Sequence, residues 1–379
     1  MLPPPSPLPL IVLLAVSHAG FAGARLAVSL HALSLQASAL TVGLLMSLMM
    51  VVATFISVPV GRWVDRIGYR KPAALGLAGI VAGAWSAALL PSLAGLAACC
   101  VLVGTSFTVV HVAVNNAIGH IAGAHRTRAF GLMGVGFSLS ALVGPMTAGL
   151  AIDHLGYRWA FALLSLSPLL AFALLQLAAP LLQPQGPGGA KTGSVIDLLR
   201  LPALRSVLVV SALVSSGWDL FTFLVPLHGA RNGLSATAIG VVAGGFGVGS
   251  ALVRLALPWI AARVPQWRLL GGTLVLAALG YFLMPFCTLV ATMLPLAVAL
   301  GMVLGCGQPV VMSLLHDSAP ADRTGEAVGL RSAIISLNQM ALPLTFGAFG
   351  AALGMLPLFW AAAALLGGGG AYAVLRQRG

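Results

Sequence analysis

Charged side chains are scarce in this chain of 379 residues. Asp, Glu, Lys and Arg make up 7% of it, against about 25% in ordinary soluble proteins, while 59% of the residues are hydrophobic and the mean hydropathy is +1.04. Residues 39–60 and 73–90 contain no ionisable side chain at all. Each run is long enough to cross a hydrocarbon core of about 30 Å as a helix. The scarcity of charge excludes a soluble domain and indicates an integral membrane protein. Because the apolar runs are continuous rather than alternating, we predict an all-α membrane protein.

Further absences narrow the function. The four cysteines, Cys99, Cys100, Cys287 and Cys306, fall in apolar segments without metal-ligand spacing, so we interpret them as packing residues and expect no bound metal. No G-x-x-x-x-G-K-[ST] motif occurs, and no polar segment is long enough to hold a nucleotide-binding domain. Paired acids, metal-ligand clusters and activated nucleophiles are also missing, which argues against an intramembrane enzyme. We therefore expect no cofactor and no catalytic residue, and an energy source that is an ion gradient or the gradient of the solute itself.

The apolar runs predict twelve membrane-spanning helices. They are numbered here as spans 1 to 12: 8–33, 39–60, 73–91, 94–119, 129–152, 158–179, 204–228, 236–260, 269–286, 293–315, 329–350 and 354–375. The first apolar run resembles a secretory signal, but no Lys or Arg precedes it and it opens a regular series, so we assign it as span 1.

A long polar interruption divides the twelve spans into two sets of six. We predict an N-terminal six-helix bundle at 1–180, a cytoplasmic linker at 181–203 and a C-terminal six-helix bundle at 204–379. The linker contains Pro-Gln-Gly-Pro-Gly-Gly, which is typical of a flexible segment, and then 194–200, which predicts a short amphipathic surface helix.

The basic residues define an orientation in the membrane. The net charge of +12 comes from Lys and Arg in the short turns between spans, which argues for topology control rather than nucleic-acid binding. Only Arg158 and Arg231 fall on the side opposite the majority. Both termini are therefore predicted to be cytoplasmic. The majority side carries these positions: 62, 66, 70, 71, 126, 128, 191, 200, 205, 263, 268, 323, 331, 376 and 378.

The two halves are related to each other in sequence. A shift of 197 residues, with one residue of slippage after the second third of the half, aligns several small and polar residues. The aligned pairs include Gly20 with Gly217, Ser38 with Ser235, Gly43 with Gly240, Arg66 with Arg263, Pro145 with Pro343 and Gly149 with Gly347. A duplicated six-helix unit with the same orientation is the architecture of a transporter that moves two halves about a central site.

A charged segment between spans 2 and 3 carries a family resemblance. Residues 61–72, Gly-Arg-Trp-Val-Asp-Arg-Ile-Gly-Tyr-Arg-Lys-Pro, resemble the G-x-x-x-D-R-x-G-R-[KR] motif of the major facilitator superfamily, and we expect them to form a tight turn at a membrane surface. The resemblance covers essentially the whole chain. It implies the fold of that superfamily, with two pseudo-symmetric six-helix bundles, and a conformational gate in which Asp65 faces the start of span 11. The residues that match the gate motif are Gly61, Asp65, Arg66, Gly68, Arg70 and Lys71.

Span 5 carries a second motif. Residues 140–149 resemble the G-x-x-x-G-P-x-x-G-G motif of proton-linked exporters in the same superfamily, with Gly144, Pro145 and Gly149 in register. Small residues also promote close helix packing, so plain packing is the alternative reading. Such exporters usually carry an arginine in span 4 where this chain has Cys100, a departure from the pattern of drug antiporters.

Three charged side chains fall within the predicted spans and more than two residues from their ends: Arg25, Asp219 and Arg254. Each costs about 2.5 to 3.5 kcal/mol at a helix centre on insertion scales, so each needs a partner or a hydrated cavity. The resemblance implies that spans 1 and 7 face each other across the cavity, and the repeat aligns Asp219 with Ala22, one helical turn from Arg25. We therefore expect Asp219 to carry the coupling proton and to pair with Arg25. A static ion pair is the alternative. Arg254 is expected to anchor an anion or to brace two helices.

Uncharged side chains complete the candidate site. The resemblance implies that spans 1, 4, 7 and 10 line the cavity, which favours His18, His111 and Gln308. His111 is a second candidate for proton coupling. Trp218 and Phe221, beside Asp219, are candidates for an aromatic wall. Substrate binding is thus assigned to Arg25, Arg254, His18, Asn115, Trp218, Phe221, Gln308 and Asn338.

Together these features predict a monomeric, multi-pass transporter in a bacterial inner membrane, with a small-molecule solute, protons and the lipid bilayer as its partners and no nucleic acid. The span 5 motif favours export, and the excess of arginine in the spans favours an anionic, zwitterionic or amphipathic solute. Proton-linked uptake of a monocarboxylate-like anion and lipid flipping stay open as alternatives.

Overall fold

The computed structural model describes residues 6–122, 126–177, 195–320 and 323–376, and within these ranges the regular structure is entirely helical. The all-α class predicted from the apolar runs is confirmed. The first six helices are α1 (Leu8–Ser34), α2 (Ala39–Ile67), α3 (Arg70–Leu89), α4 (Leu93–Ala122), α5 (Arg126–Leu164) and α6 (Leu166–Leu177). The remaining ones are α7 (Val195–Leu198), α8 (Pro202–Arg231), α9 (Ala236–Ala261), α10 (Gln266–Leu283), α11 (Val290–Ser318), α12 (Thr324–Leu353) and α13 (Met355–Arg376), with a 3₁₀ turn at Met284–Phe286 after α10.

Eleven helical segments in the described part of the chain are long and apolar enough to cross a membrane. One of them, Ala129–Leu177, has 49 residues and contains both predicted spans 5 and 6. A straight helix of that length would be more than twice as long as a hydrocarbon core is thick. Its course is broken at Gly156, whose backbone has φ 80° and ψ 169°. Because L-residues with a Cβ rarely adopt this conformation, the glycine ends one helix and starts the next.

The charged segment 61–72 is more helical than the sequence predicts. We expected a tight turn over the whole segment, but α2 continues to Ile67 and α3 begins at Arg70. Only Gly68, with φ 80°, and Tyr69 separate the two helices. The prediction that the turn covers all of 61–72 is wrong because charge ends the membrane-embedded part of a helix, not its backbone hydrogen bonding.

The predicted linker is only partly described. Most of 181–203 lies outside the described residues, and the amphipathic helix expected at 194–200 is represented by the single turn α7. Leu198 of this turn is buried and Asp197 is exposed. The division into bundles at 1–180 and 204–379 stays a prediction.

Contacts between Cα atoms group the chain into two compact units. Unit 1 consists of 1–37, 48–190 and 235–244, and unit 2 consists of 38–47, 191–234 and 245–379. In unit 1, α1 packs mainly against α5, α6 and α4, and α3 packs against α4. In unit 2, α8 packs against α11, α12 and α13, and α10 packs against α13 and α11.

The short segments 38–47 and 235–244 are equivalent in the sequence repeat. Ser38 and Ser235 each precede a helix and accept a hydrogen bond from the backbone N–H of the third helical residue, Thr41 or Ala238, at 3.2 Å. This is the N-cap interaction that favours serine at a helix start. The repeat detected in the sequence thus specifies the same local structure twice.

The segments also make equivalent packing contacts. In unit 2, a Cβ at Gly43 would overlap the carbonyl oxygen of Pro343, and Gly347 lies next to it. In unit 1, a Cβ at Gly240 would lie 2.5 Å from the carbonyl oxygen of Pro145. Backbone contact at this distance requires glycine, because any side chain would separate the helices.

Candidate functional site

Unit 1 contains a cluster of histidine and aromatic rings on α1, α4 and α5. The ring of His18 lies 4.7 Å from that of Phe137 and 5.6 Å from that of Phe107, centroid to centroid. Phe107 in turn stacks on Phe21 at 4.4 Å, and His111 lies 5.9 Å from Phe137. We call these five residues the aromatic–histidine cluster. It brings together His18 and His111, both of which the sequence predicts as site residues.

The polar atoms of this region are incompletely hydrogen-bonded. The Asn115 side-chain amide donates to a ring nitrogen of His111, 2.9 Å from Nδ2 to Nε2. Within the described residues, His18 Nδ1, Asn115 Oδ1 and Thr105 Oγ1 are buried and have no hydrogen-bond partner. Buried polar atoms are almost always satisfied by protein or by water. Unsatisfied atoms beside aromatic rings are the arrangement expected where a ligand or water supplies the missing hydrogen bonds.

Arg25, the cation predicted for span 1, belongs to the same part of unit 1. It follows His18 on α1 by about two helical turns, and it interacts electrostatically with both His18 and Cys100. Cys100 is near the position at which the resemblance to exporters leads us to expect an arginine. In this chain the positive charge near that position comes from α1 instead.

Asp219 on α8 is the buried carboxylate of unit 2. Asp219 as a whole is 2% exposed to solvent. Gln339 of α12 donates to Oδ1 at 3.3 Å, and Ser215, one turn earlier on α8, donates to Oδ2 at 3.4 Å. Tyr281 of α10 donates to the carbonyl oxygen of Gly217, also on α8. Neutral donors from two helices therefore hold the carboxylate in place.

An aromatic ring of α9 and an amide of α12 contact the same stretch of α8. Trp218 packs edge-on against Phe246 of α9 at 4.6 Å, and Phe221 stacks on Phe246 at 4.2 Å. Asn338 of α12 donates to Ser216 Oγ at 2.8 Å. Trp218 and Phe221 are thus both held by one ring that the sequence reasoning missed.

The cations of unit 2 differ from the sequence prediction. Arg254 is placed on α9 with its Nε atom buried. Arg331 was assigned to a cytoplasmic turn, but it lies inside α12, within the candidate span Glu326–Leu353. There it donates from Nε to Ser211 Oγ of α8 at 2.7 Å and from Nη2 to Gln308 Oε1 of α11. The prediction of only three charged side chains within spans is therefore wrong.

A signal for Arg331 was present in the sequence. It falls inside predicted span 11, and Asn338 follows it by seven residues, which is two helical turns and hence the same face of a helix. Counting it with the loop arginines hid that relation.

The predicted gate residues lie in unit 1 at the ends of α2 and α3. Asp65 is exposed and accepts a hydrogen bond from Asn116 Nδ2 of α4 at 3.0 Å. Arg70 donates through Nη2 to the carbonyl oxygens of Leu175, at 3.2 Å, and Gln176, at 3.4 Å, in the last turn of α6. A cation at a helix C-terminus is favourable because the helix dipole is negative there. Arg66 and Lys71 are exposed.

The two glycines of the motif predicted for span 5 lie in close backbone contact with other helices. A Cβ at Gly144 would overlap the carbonyl oxygen of Ala19 on α1, and one at Gly149 would overlap that of Ala236 at the start of α9. Pro145 supplies the carbonyl oxygen next to Gly240. Near this contact the Asp153 carboxylate accepts hydrogen bonds from the backbone N–H groups of Ala236, at 3.1 Å, and Thr237, at 2.7 Å.

The fold is that of a membrane transporter family. A family model described as Major Facilitator Superfamily matches residues 10–343 and 207–378. The chain belongs to the major facilitator superfamily, as the motif at 61–72 indicated, and it is a multi-pass membrane protein of that fold.

The chain is also similar to individual known proteins. It is 25% identical over 318 residues to the class D tetracycline resistance protein of Salmonella ordonez, a match that covers 80% of this chain and 78% of that protein. Its fold is similar to two crystal structures of a POT family transporter, one with a thioalcohol-conjugated peptide and one with 5-aminolevulinic acid. Both have a TM-score of 0.80 at 13% identity; each match covers 98% of this chain, and 96% and 95% of the respective transporter chains.

Proposed function

We propose that this protein exports a small amphipathic organic solute bearing an anionic group, by alternating access coupled to protons. The observation that carries the proposal is Asp219, a carboxylate buried on a membrane-spanning helix and held by neutral donors from Ser215 and Gln339. A carboxylate in such a segment is expensive unless it functions in ion or substrate movement. Protonation removes that charge, so the equilibrium between conformations becomes dependent on proton concentration.

Two groups of residues support binding of an amphipathic solute. In unit 1 the aromatic–histidine cluster offers apolar ring faces together with the buried polar atoms of His18 and Asn115. In unit 2 the rings of Trp218 and Phe221 lie on the same helix as Asp219. Ligand sites commonly combine mainly apolar walls with a few placed polar groups. We assign these residues, with Arg25, Arg254, Gln308 and Asn338, to substrate contact, and Asp219 and His111 to proton coupling.

Export is the direction that the sequence relationships favour. The relative from Salmonella ordonez is described as a tetracycline resistance protein, and the span 5 motif of this chain resembles that of proton-linked exporters. Tetracycline is therefore a rational first probe for this protein, beside organic acids, amino acids and cationic dyes in a thermal-shift screen.

The proton-coupling role is tested with Asp219→Asn in proteoliposomes, using the solute that stabilises the purified protein most in that screen. We expect the variant to lose movement of the solute driven by an imposed pH gradient but to retain exchange of labelled for unlabelled solute, because exchange needs no net proton transfer. Asp153→Asn, which alters a carboxylate at a helix end, serves as the control and is expected to keep its response to the gradient. Gradient-driven transport by Asp219→Asn at the wild-type level would contradict a role of Asp219 in proton coupling.

The pairing of Arg25 with Asp219 stays a prediction from the sequence repeat. We expect Arg25→Asp and Asp219→Arg each to lower the melting temperature, and the double charge exchange to recover most of the loss, because only the double variant restores opposite charges. Additive losses in the double variant would contradict the pairing.

Proton-linked uptake of a monocarboxylate-like anion is the second candidate, since the half-buried cation Arg254 suits a carboxylate in either direction of transport. The same vesicles distinguish the two directions of transport. The vesicles are prepared with a higher pH inside than outside and with the solute on both sides. A symporter then accumulates the solute inside the vesicles, whereas an antiporter expels it.

A further inference from the structure

Arg331 lies where three helices of unit 2 meet. It is on α12, and its guanidinium contacts Ser211 on α8 through Nε, at 2.7 Å, and Gln308 on α11 through Nη2. Ser211 is buried, while Arg331 and Gln308 are half-buried, so the group is neither a surface charge nor sealed in the interior. We call these three residues the Arg331 cluster.

The charge of this arginine is not balanced by the residues around it. Throughout 6–122, 126–177, 195–320 and 323–376, no carboxylate forms an ion pair with Arg331, and both of its hydrogen-bond partners are neutral. Buried or half-buried cations in membrane proteins normally pair with an acid or face the path of a ligand. In the described part of the chain, Arg331 has no acidic side chain as an ion-pair partner.

The Arg331 cluster has more hydrogen-bond donors than its internal contacts use. A guanidinium has five N–H donors in a planar fork, and the hydrogen bonds of Arg331 to Ser211 and Gln308 use one donor from Nε and one from Nη2. Because Gln308 accepts through Oε1, its amide NH₂ group points elsewhere and is also available as a donor. A planar fork of this kind matches a carboxylate, which accepts two parallel hydrogen bonds.

We infer that the Arg331 cluster is a binding subsite for a carboxylate group, with Arg331 as the anchor, Gln308 as a second donor and Ser211 as the residue that orients the guanidinium. The subsite rests on the proposed transport function and deepens it, because it assigns the anionic group of the solute to the α8–α11–α12 junction. It also distinguishes Arg331 from Arg70 and Arg200, which lie at helix ends and contact a carbonyl oxygen and an exposed carboxylate, respectively.

The test measures how carboxylates stabilise the purified protein in detergent at constant ionic strength. The probes are benzoate and phthalate, with benzamide and phthalamide as neutral counterparts of the same shape. We expect the carboxylates, and not the amides, to raise the melting temperature of the wild type with saturation. Arg331→Gln is expected to raise the half-saturating concentration by about 10- to 100-fold, the loss typical of one charge-assisted hydrogen-bond pair.

Two further variants keep the test decisive. Arg376 donates to Ser206 Oγ at 2.9 Å on the same helix α8, so Arg376→Gln removes an arginine–serine contact of the same kind and is expected to leave the carboxylate response unchanged. Gln308→Glu places a fixed carboxylate beside Arg331. We expect it to stabilise the protein without ligand and to abolish the carboxylate response, which a purely structural role for Arg331 does not predict.

The outcomes separate this inference from the proposed function. Equal stabilisation by carboxylates and amides, or an unchanged response in Arg331→Gln or Gln308→Glu, would overturn the subsite even if Asp219 proves to couple protons. Carboxylate binding that depends on Arg331, in a protein whose transport ignores the pH gradient, would support the subsite and overturn the coupling proposal alone.

Discussion

The two glycines of the gate motif have different reasons to be glycine. Gly68 has φ 80° between α2 and α3, whereas Gly61 lies inside α2 and has no heavy atom within 4 Å of an added Cβ. Sequence alone treats them alike, because a motif records only that both positions are glycine. The backbone shows that only Gly68 is needed for the turn in this structure.

We therefore expect Gly68→Ala to destabilise the protein by about 1 to 2 kcal/mol, the cost of a left-handed conformation for a residue with a Cβ. Gly61→Ala is expected to be neutral or to stabilise by up to about 1 kcal/mol, because alanine is the better helix former. Melting temperatures of the two variants in one detergent measure the difference. A lower melting temperature for Gly61→Ala than for Gly68→Ala would contradict this assignment.

At the scale of the helix, the start of α9 is stabilised from two sides. Ser235 caps it from its own chain segment, and the Asp153 carboxylate, in the α5 segment that ends at Gly156, accepts hydrogen bonds from the N–H groups of Ala236 and Thr237. These groups have no partner inside the helix, and the helix dipole adds an attraction for negative charge. The repeat equivalent of Asp153, shifted by 198, is Ala351, so among the described residues α2 has only its serine cap.

Asp153→Asn is expected to lower stability by about 0.3 to 1 kcal/mol, since the amide keeps one acceptor oxygen but loses the charge, and Asp153→Ala by about 1 to 2 kcal/mol. Thermal melting of the purified variants provides the measurement. Asp197→Asn is the control, because Asp197 is an exposed carboxylate whose contact with Arg200 spans 3.5 Å. An Asp153→Ala variant as stable as Asp197→Asn would show that the cap contributes nothing.

At the scale of the whole molecule, the distribution of Lys and Arg predicts that both termini are cytoplasmic. Arg158 and Arg200 are both exposed and lie on opposite sides in this prediction. We expect a membrane-impermeant maleimide to label Arg158→Cys in intact cells and Arg200→Cys only after permeabilisation. Cys287→Ser is the background, because Cys99, Cys100 and Cys306 are buried. The reverse labelling pattern would show that the predicted topology is inverted.

The duplication is also visible, at the scale of the whole molecule, in helix contacts that lie outside the two sequence motifs. A Cβ at Gly104 would overlap the carbonyl oxygen of Met49, and one at Gly301 would overlap that of Phe246. Both residues of the second contact are shifted by 197 from those of the first. One pair lies in unit 1 and the other in unit 2. The internal repeat therefore preserves helix crossings, which require small residues, even where the remaining sequence has diverged.

The sequence by itself determined the helical membrane class, the approximate spans, the duplication and the family. These follow from the free energy of placing each segment in lipid and from residue identity along the chain, both of which are local properties. Only the tertiary structure decided which side chains meet: His18 with Phe137, Asp219 with Gln339, and Arg331 with Ser211 and Gln308. The rotation of each helix about its axis depends on packing against helices distant in sequence. Arg331, which the count of cytoplasmic charges assigned to a loop, therefore became a candidate ligand anchor once α8, α11 and α12 were placed together.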